Sequence, residues 1–532
     1  MTLSWQPSLA LGLEVDHPHP GFISASLLTA VAIQLSSKST ELVMRKCCAL
    51  VVRNVNIKST KTLLEEHGLL SHDQKIRPGV PQRSIIPTTI ECPGQANISL
   101  RDSFLSSIAA LSQTLVSEMD DVVEDVIVLD PPDQGSKQRN TSILEASMLQ
   151  ALQRLRPTLL PCPARELVSL LPSSYSIYSP MLLLPFHFFR HPHWQSLLSN
   201  LAIFNDQGAA FFASVAEKMH VTNIAINAII PADNAPTSDG NATENILRSP
   251  SNLQVVHGDF GPEHPAYPQY RPQSEDYDEA FWVSTKQNGI HQTWAPRYTM
   301  FSAGNVTEKA RLLTLSSVTE TVKVGRETGR GCTAVDLFSG IGYFAFSYVR
   351  AGFDKVLCWD LNPWSIEGLR RGAAANKWHS VVLDFELDAE LEGNQEEHAA
   401  AAACRPSVQL LAFRESNEVA SRRISHLRSM VPPIRHVNCG TLPDTGQAWR
   451  TAVHALDPEL GGWIHLHETV AQSEMKQRAD YYKDLVAQHA RLIRPEVEVG
   501  VELEHIEIVK SMGPRLLHVV FDIGISYGSH DA

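Results

Sequence analysis

The chain has 532 residues, 43% of them hydrophobic and 19% charged, with a formal net charge of −13. That length is too great for one ordinary domain, and the composition is that of a soluble globular protein of two to four domains. The acidic balance argues against a uniformly basic nucleic-acid binder, but screening confines each charge to about 10 Å, so a local basic patch still counts.

Near the start, "GFISASLLTAVAIQL" (21–35) has no basic region before it. It is too short and too interrupted for a membrane span or a signal peptide, so a cytosolic chain without membrane contact is expected. "LVMRKCCALVVRNVNIKSTKTLLEEHGLL" (42–70) reads as a strand followed by a helix. Its basic residues Arg45, Lys46, Arg53, Lys58 and Lys61 suit either phosphate contact or a solvated face. "VIVLDPPDQG" (126–135) looks like the D-P-P motif of amino-methyltransferases but precedes the glycine turn described below, the wrong order for that chemistry; it reads as a strand leaving into a loop. Residues 1–180 are read as an irregular accessory region and 181–310 as a smaller α/β domain interrupted by the turn-rich stretches 231–245 and 264–278. From 311 to 532 the α/β alternation is regular, broken by the acidic, alanine-rich "ELDAELEGNQEEHAAAAACR" (386–405), expected to be a solvated or partly disordered loop. The eight cysteines form no C-x-x-C pair, and the histidines of "FHFFRHPHW" (186–194) and "IHLHE" (464–468) lack a third ligand nearby in sequence, so no metal site is expected. Trp364 and Trp378 are read as packing residues, and Arg422, Arg423 and Arg428 of a helix-like segment as solvated or phosphate-facing.

The chemistry concentrates in "TAVDLFSGIGYFAFSYVRAG" and "KVLCWD" (333–352 and 355–360). An apolar strand closes on Asp336, and Gly340 and Gly342 then let the backbone approach a ligand before a helix begins. A diphosphate would be repelled by Asp336, whereas an ammonium group would be attracted. Asp360, at the end of the second strand, suits a ribose diol. An acidic strand end, a short glycine turn and a ribose-binding acid fit S-adenosylmethionine better than NAD, on a doubly wound α/β fold.

At this point a family resemblance enters. "DLFSGIGYF", "DLNPWSIEGLRRGAAAN", "YTMFSAGNVTEKARLL", "HVNCGTLPDTGQAW", "GGWIHLHETV" and "EIVKSMGPRLLHVVFDI" resemble, in kind and order, the aminocarboxypropyltransferases of tRNA wybutosine synthesis, relatives of the tRNA guanine-N1 methyltransferases. The resemblance covers about residues 181–532 and extends loosely into the N-terminal third through "KTLLEEHGLLSHDQKIRP" and "IPTTI". It implies a Rossmann-like class I methyltransferase fold. It also implies transfer of the 3-amino-3-carboxypropyl group of S-adenosylmethionine to C7 of 4-demethylwyosine at position 37 of phenylalanine tRNA, by a cytoplasmic enzyme without a metal and expected to be a monomer. Ser302 and Lys309 match cofactor-contacting positions, and Asp360 the ribose acid. Ser416 and Asn417 match a pair near the adenine, with Asp384 as the rival; Asn417 is preferred because only that segment keeps the asparagine. "NCGTLP" (438–443), led by the candidate catalytic Asn438, looks like the aminocarboxypropyl branch. The methylating branch carries a compact Asn-Leu-Pro there, and an Asp in place of Ser416. Guanine-N1 methylation is the alternative in the same class, and a catalytically inert RNA-binding protein the alternative in another.

Overall fold

The structure is a computed structural model. It describes residues 47–528 apart from short internal stretches, the longest of them 130–141 and 228–249. The apolar run at 21–35, Arg45, Lys46, the turn-rich 231–245 and the end of the D-P-P segment therefore lie outside the described residues.

The N-terminal region, read as irregular, carries an antiparallel sheet of β1 (Cys47–Arg53), β2 (Arg77–Pro78), β3 (Arg83–Glu91) and β4 (Val123–Leu129) in the order β2-β3-β1-β4. Leu50 and Val52 of β1 pack with Leu64, Phe104 and Met119 from helices over Ile57–Glu66, Leu100–Ala109 and Gln113–Val122. The strand and helix read at 42–70 are β1 and the helix after it, and the strand read at 126 is β4; the other two strands were hidden because β2 has two residues and β3 is interrupted by Pro87, which penalises strand assignment. Arg53 is paired with Glu124 and Lys61 with Glu65, so two of the candidate phosphate contacts have acidic partners of their own.

A second sheet follows: β5 (Ser176–Tyr178), β6 (Met181–Leu184), β7 (Asn223–Ile226) and β8 (Gln254–His257), in chain order. Leu182 and Leu184 share a core with Trp194, Phe211 and Val215 and with Leu144, Met148 and Leu167 of helices over Ile143–Gln153 and Ala164–Ser169. That core therefore straddles residue 180. The hairpin of β9 (Val283–Gln287) and β10 (Ile290–Trp294) leads toward the third unit.

The third unit is an eight-stranded sheet of β11 (Thr333–Asp336), β12 (Lys355–Trp359), β13 (Ser380–Asp384), β14 (Leu410–Arg414), β15 (Ile434–Cys439), β16 (Gly462–Ala471), β17 (Val499–Gly513) and β18 (Leu516–Tyr527). Its order is β13-β14-β12-β11-β15-β16-β18-β17, parallel except for the β17–β18 hairpin. Every residue of β11, β12 and β14 is buried, as parallel strands covered on both faces require. This is the doubly wound, Rossmann-like arrangement read from the sequence, with β11 at its centre. The helices that matter for the site are α1 (Val306–Leu312), α2 (Ala345–Ala351), α3 (Pro363–Ala375), α4 (Glu392–Ala403) and α5 (Ala420–Leu427).

The insert at 386–405 corrects one expectation. It was read as a solvated loop, yet its alanine run forms α4, and Ala399, Ala402 and Ala403 are buried in the main core beside Leu411, Phe413 and Ile424. Alanine has the highest helix propensity and lets a helix approach a sheet closely, so low complexity here encodes packing rather than disorder. The insert begins just after β13, which adds an edge strand beyond β14. Arg423 of α5 bridges Glu396 of α4 and Glu415, and Glu415 also accepts a hydrogen bond from the Trp359 indole. Arg428 donates to the carbonyls of Leu456 and His454. These two arginines are thus engaged with groups of the protein itself. Truncating one partner of a buried ion pair leaves the other charge uncompensated, so Arg423→Met should lower stability by about 3–5 kcal/mol, seen as a drop in the urea midpoint. A solvated arginine would leave that midpoint where it is.

Candidate active site

The C-terminal end of β11 places Asp336 fully inside the sheet, flanked in register by Cys358 of β12 and Asn438 of β15. Its carboxylate accepts hydrogen bonds from the Ala345 N–H at 3.1 Å and, at 3.4 Å each, from the Phe338 N–H and Asn438 Nδ2. Burial outweighs these bonds and pushes the Asp336 carboxyl up to about 7. The carboxyl is therefore poised to hold a proton, or to ionise beside an incoming cation. The Ala345 N–H at the start of α2 is thus engaged within the protein, and it is the turn before the helix that faces the site.

That turn needs glycine at two positions. Gly340 and Gly342 have φ of +52° and +89°, and an added Cβ would come within 2.8 Å of the Tyr343 ring and 2.6 Å of the Phe346 ring. Gly340 N–H donates to Asp360 Oδ2 at 2.8 Å, and Asn362 N–H to Asp360 Oδ1 at 2.9 Å. Asp360 keeps a solvent-facing edge, yet desolvation pushes its carboxyl up to about 6, against the pull of those two N–H bonds. Two backbone donors fix the plane of the carboxylate and leave a second lone pair on each oxygen.

Across the turn, Tyr343 binds the preceding segment. Its hydroxyl donates to the Met300 carbonyl and accepts from the Ser302 N–H. Ser302 thus stands beside the turn, and α1 follows it. Lys309 of α1 is 3% exposed; its ammonium donates to the side-chain oxygens of Gln287 and Gln292 at 2.5 and 2.7 Å and lies 5.2 and 5.5 Å from the Phe301 and Tyr343 ring centres. Desolvation, with a smaller contribution from the charge of Lys510, brings its pKa down to about 7. Lys510, at the tip of the β17–β18 hairpin, donates to Ser302 Oγ and Asn305 Oδ1. Sequence reading did not single out Lys510; the only signal was its place in "EIVKSMGPRLL".

On the other side, β14 and not β13 pairs with β12. Ser416 and Asn417 follow β14 after Glu415: Ser416 Oγ accepts from the Glu418 N–H, and Asn417 Nδ2 donates to the Leu337 carbonyl at 2.8 Å, beside the glycine turn. Asp384 ends β13 one strand further out and is ion-paired with Arg414. Asn438 is fully buried, and its Oδ1 has no hydrogen-bond partner among the described residues. Pro443 of the turn after β15 lies outside the described residues. Asp336, Gly340, Gly342, Asp360, Ser302, Lys309, Ser416, Asn417 and Asn438 thus gather around one end of the sheet.

Below this end lies a buried polar chain that sequence reading missed. Glu308 and Arg311 of α1 are ion-paired, Arg311 binds Asp522 of β18, Asp522 binds His465 Nδ1 at 2.6 Å, and His465 Nε2 meets His436 Nδ1 at 3.0 Å. Burial opposes the charge on Asp522, but His465 and Arg311 hold its carboxyl well below the usual range. Burial and the neighbouring His465 keep His436 well below its ordinary value and neutral. His467 Nδ1 meets His518 Nε2 separately. The paired histidines of "IHLHE" are thereby hydrogen-bonded within the sheet. Elsewhere the fold brings Cys162, Glu166 and His193 to within 4.8 Å of one another, a grouping invisible to cysteine spacing. Three partly exposed donors are one short of a closed tetrahedral zinc set. Trp364 is buried with its ring stacked 3.8 Å from that of Tyr298, a packing role.

The buried ammonium of Lys309 has a calculable effect on stability. Its folded pKa lies below the ordinary lysine value of 10.5, so its contribution is fully present above that value and is lost as pH falls toward about 7. Lys309→Met should accordingly be more stable than the parent at pH 7, with the advantage shrinking toward pH 10; paired urea titrations at the two pH values measure it.

No family model matches the chain. The tRNA wybutosine-synthesizing protein 2 of Schizosaccharomyces pombe is 34% identical over 352 residues, 66% of this chain and 72% of that protein. The protein of the same name from Saccharomyces cerevisiae is 28% identical over 396 residues, 68% and 75% of the two chains. The structure of Pyrococcus horikoshii TYW2 in complex with MeSAdo aligns with 72% of this chain and 99% of that one, at 17% identity and a TM-score of 0.42.

Proposed function

The chain belongs to the family of tRNA wybutosine-synthesizing protein 2, and from this we propose that it is a transferase that moves the 3-amino-3-carboxypropyl group of S-adenosylmethionine onto C7 of 4-demethylwyosine at position 37 of phenylalanine tRNA. Among the described residues no helix is long and apolar enough to cross a membrane, and a cytosolic enzyme that meets its tRNA in solution is the reading adopted.

The observation that carries the cofactor is a pair of opposite charges set across the glycine turn. Lys309 offers a buried ammonium whose acceptors are amide oxygens, and Asp336 a buried carboxyl pushed up by desolvation. Among the described residues neither is given a full counter-charge of the kind that the α-carboxylate and α-ammonium of an amino-acid end would supply. The orphaned Oδ1 of Asn438 beside Asp336 is an acceptor for that same ammonium. Asp360, held in plane by two backbone N–H groups, receives the ribose diol, and the turn at Gly340 and Gly342 admits the ligand closely. Ser416 and Asn417 border the adenine.

The sulfonium of S-adenosylmethionine supplies the leaving group. C7 attacks the γ-carbon, the bond from that carbon to sulfur breaks, the sulfur keeps the electron pair as methylthioadenosine, and C7 then gives up its proton to water. The protein's share is alignment, with the reacting atoms held about 3–3.5 Å apart. A ring carbon loses its proton after attack, so no general base is required at the position where methylating relatives carry Asp. Here that position is Ser416, whose hydroxyl caps the following turn. This favours aminocarboxypropyl transfer over guanine-N1 methylation.

Carboxyl-labelled S-adenosylmethionine should mark the tRNA, and methyl-labelled cofactor should leave it unmarked; methyl label in the tRNA would mean methylation, and neither label an inert binder. Asp360→Ala should weaken cofactor binding by about 2–3 kcal/mol, the range for a lost charge-assisted hydrogen bond. Calorimetry reads this directly, and an unchanged dissociation constant removes Asp360 from the site.

A further inference from the structure

We infer that Cys162, Glu166 and His193 form a site for a single zinc ion, held by one thiolate, one carboxylate and one imidazole with the fourth position left to water. The site belongs to the second sheet's unit and is independent of the S-adenosylmethionine reading.

The placement follows from two helices and what ties them together. Cys162 stands between the short turn Pro157–Leu159 and the helix over Ala164–Ser169, and Glu166 is the third residue of that helix. His193 is the second residue of the helix over Pro192–Ile203. The indole of Trp194, which is fully buried, donates to the Leu167 carbonyl at 2.9 Å, so a hydrogen bond joins the immediate neighbours of His193 and Glu166. Asn200 Nδ2, on the same helix, donates to the Leu159 carbonyl at 3.1 Å on the other side of Cys162. Leu159, Leu167 and Trp194 share one core, and Cys162 packs against it. The donors therefore project from a scaffold that is fixed before any ion arrives, as a metal site requires.

The donor set selects the ion. Cys162 is a free thiol, and Sγ, a Glu166 oxygen and a His193 ring nitrogen all lie within 4.8 Å of one another. In a zinc tetrahedron with bonds of about 2.0–2.3 Å the donors stand about 3.5 Å apart, so side-chain rotation of about 1 Å closes the set. Glu166 is exposed and has the freedom to make that movement. Thiolate and imidazole suit zinc, whereas magnesium and calcium take oxygen donors. On binding, the Cys162 thiol gives its proton to solvent and keeps the electron pair as the thiolate donor. One thiolate and one carboxylate then neutralise a divalent ion, and the imidazole stays uncharged. His191 Nδ1 accepts from the His193 N–H at 3.3 Å, beside the His193 ring. The bound ion would clamp the segment around Cys162 to the Pro192–Ile203 helix at the rim of the second sheet's core.

The test is titration of the chelator-treated full chain with cobalt(II) alone, whose absorption reports the donors and geometry that zinc does not. Wild-type protein should take up one cobalt per chain, with a thiolate-to-metal charge-transfer band and the strong visible bands of a tetrahedral site, and zinc should abolish both. Cys162→Ser should lose the charge-transfer band, and His193→Gln should weaken cobalt binding. Cys404→Ser, which removes an exposed thiol elsewhere in the chain, should leave the spectrum unchanged. A wild-type spectrum without the charge-transfer band overturns the inference, as does a band that survives Cys162→Ser or vanishes with Cys404→Ser. X-ray absorption of the zinc-loaded wild-type chain needs no variant. It should show one sulfur at about 2.3 Å among nitrogen and oxygen donors at about 2.0–2.2 Å. A shell with no sulfur, or with more than one, also overturns the site.

Discussion

The half-buried guanidinium of Arg311 is the contact on which the site's geometry depends. It is held by Glu308 on its own helix and by Asp522 in the sheet, and through Asp522 it reaches His465 and His436. The strand that carries His436 presents Asn438 two residues later, next to its end at Cys439. One charged chain therefore fixes both the helix that presents Lys309 and the strand that presents Asn438. Burying so many charges is costly unless every one is matched, and here carboxylates face a guanidinium and a histidine at short range. The arrangement docks α1 on the sheet, and the partners described for Lys309, on the same helix, are amide oxygens.

This division explains an otherwise odd distribution of charge. Carboxylates are plentiful in a chain of net charge −13, yet none of the partners described for the Lys309 ammonium is one. Asp336, conversely, is buried next to amide and backbone donors, and none of its described partners is a basic side chain. Within the protein each group is poorly compensated. Taken together they are complementary to a zwitterion, and the cost of holding them apart is the preorganisation that a binding site requires.

The sheet and the glycine turn were legible in the sequence because parallel buried strands write continuous apolar runs, and because Gly340 and Gly342 sit where only glycine adopts the backbone. Asp336 and Asp360 were visible as acids ending such runs. The alanine-rich insert was misread, since low complexity and helix propensity produce the same letters, and only the burial of Ala399, Ala402 and Ala403 decides between them. In the N-terminal sheet β1 and β4 were legible as strands, but the pairing was missed because a two-residue β2 and a proline within β3 carry no strand pattern. The Arg311 chain and Lys510 were invisible for another reason. Their partners lie some two hundred residues away in sequence, and no local spacing records that.

The edge strand β13, with α4 following it, has a further consequence. Without it, β14 would border the sheet, and its five residues, Leu410–Arg414, are buried throughout. An unpaired strand of that character is a template for pairing with another chain. β13 covers it with a strand of only five residues that is mostly half-buried and ends in an ion pair between Asp384 and Arg414. The addition therefore sets a half-buried strand, closed by an ion pair, at the margin of the sheet in place of a fully buried one of the same length.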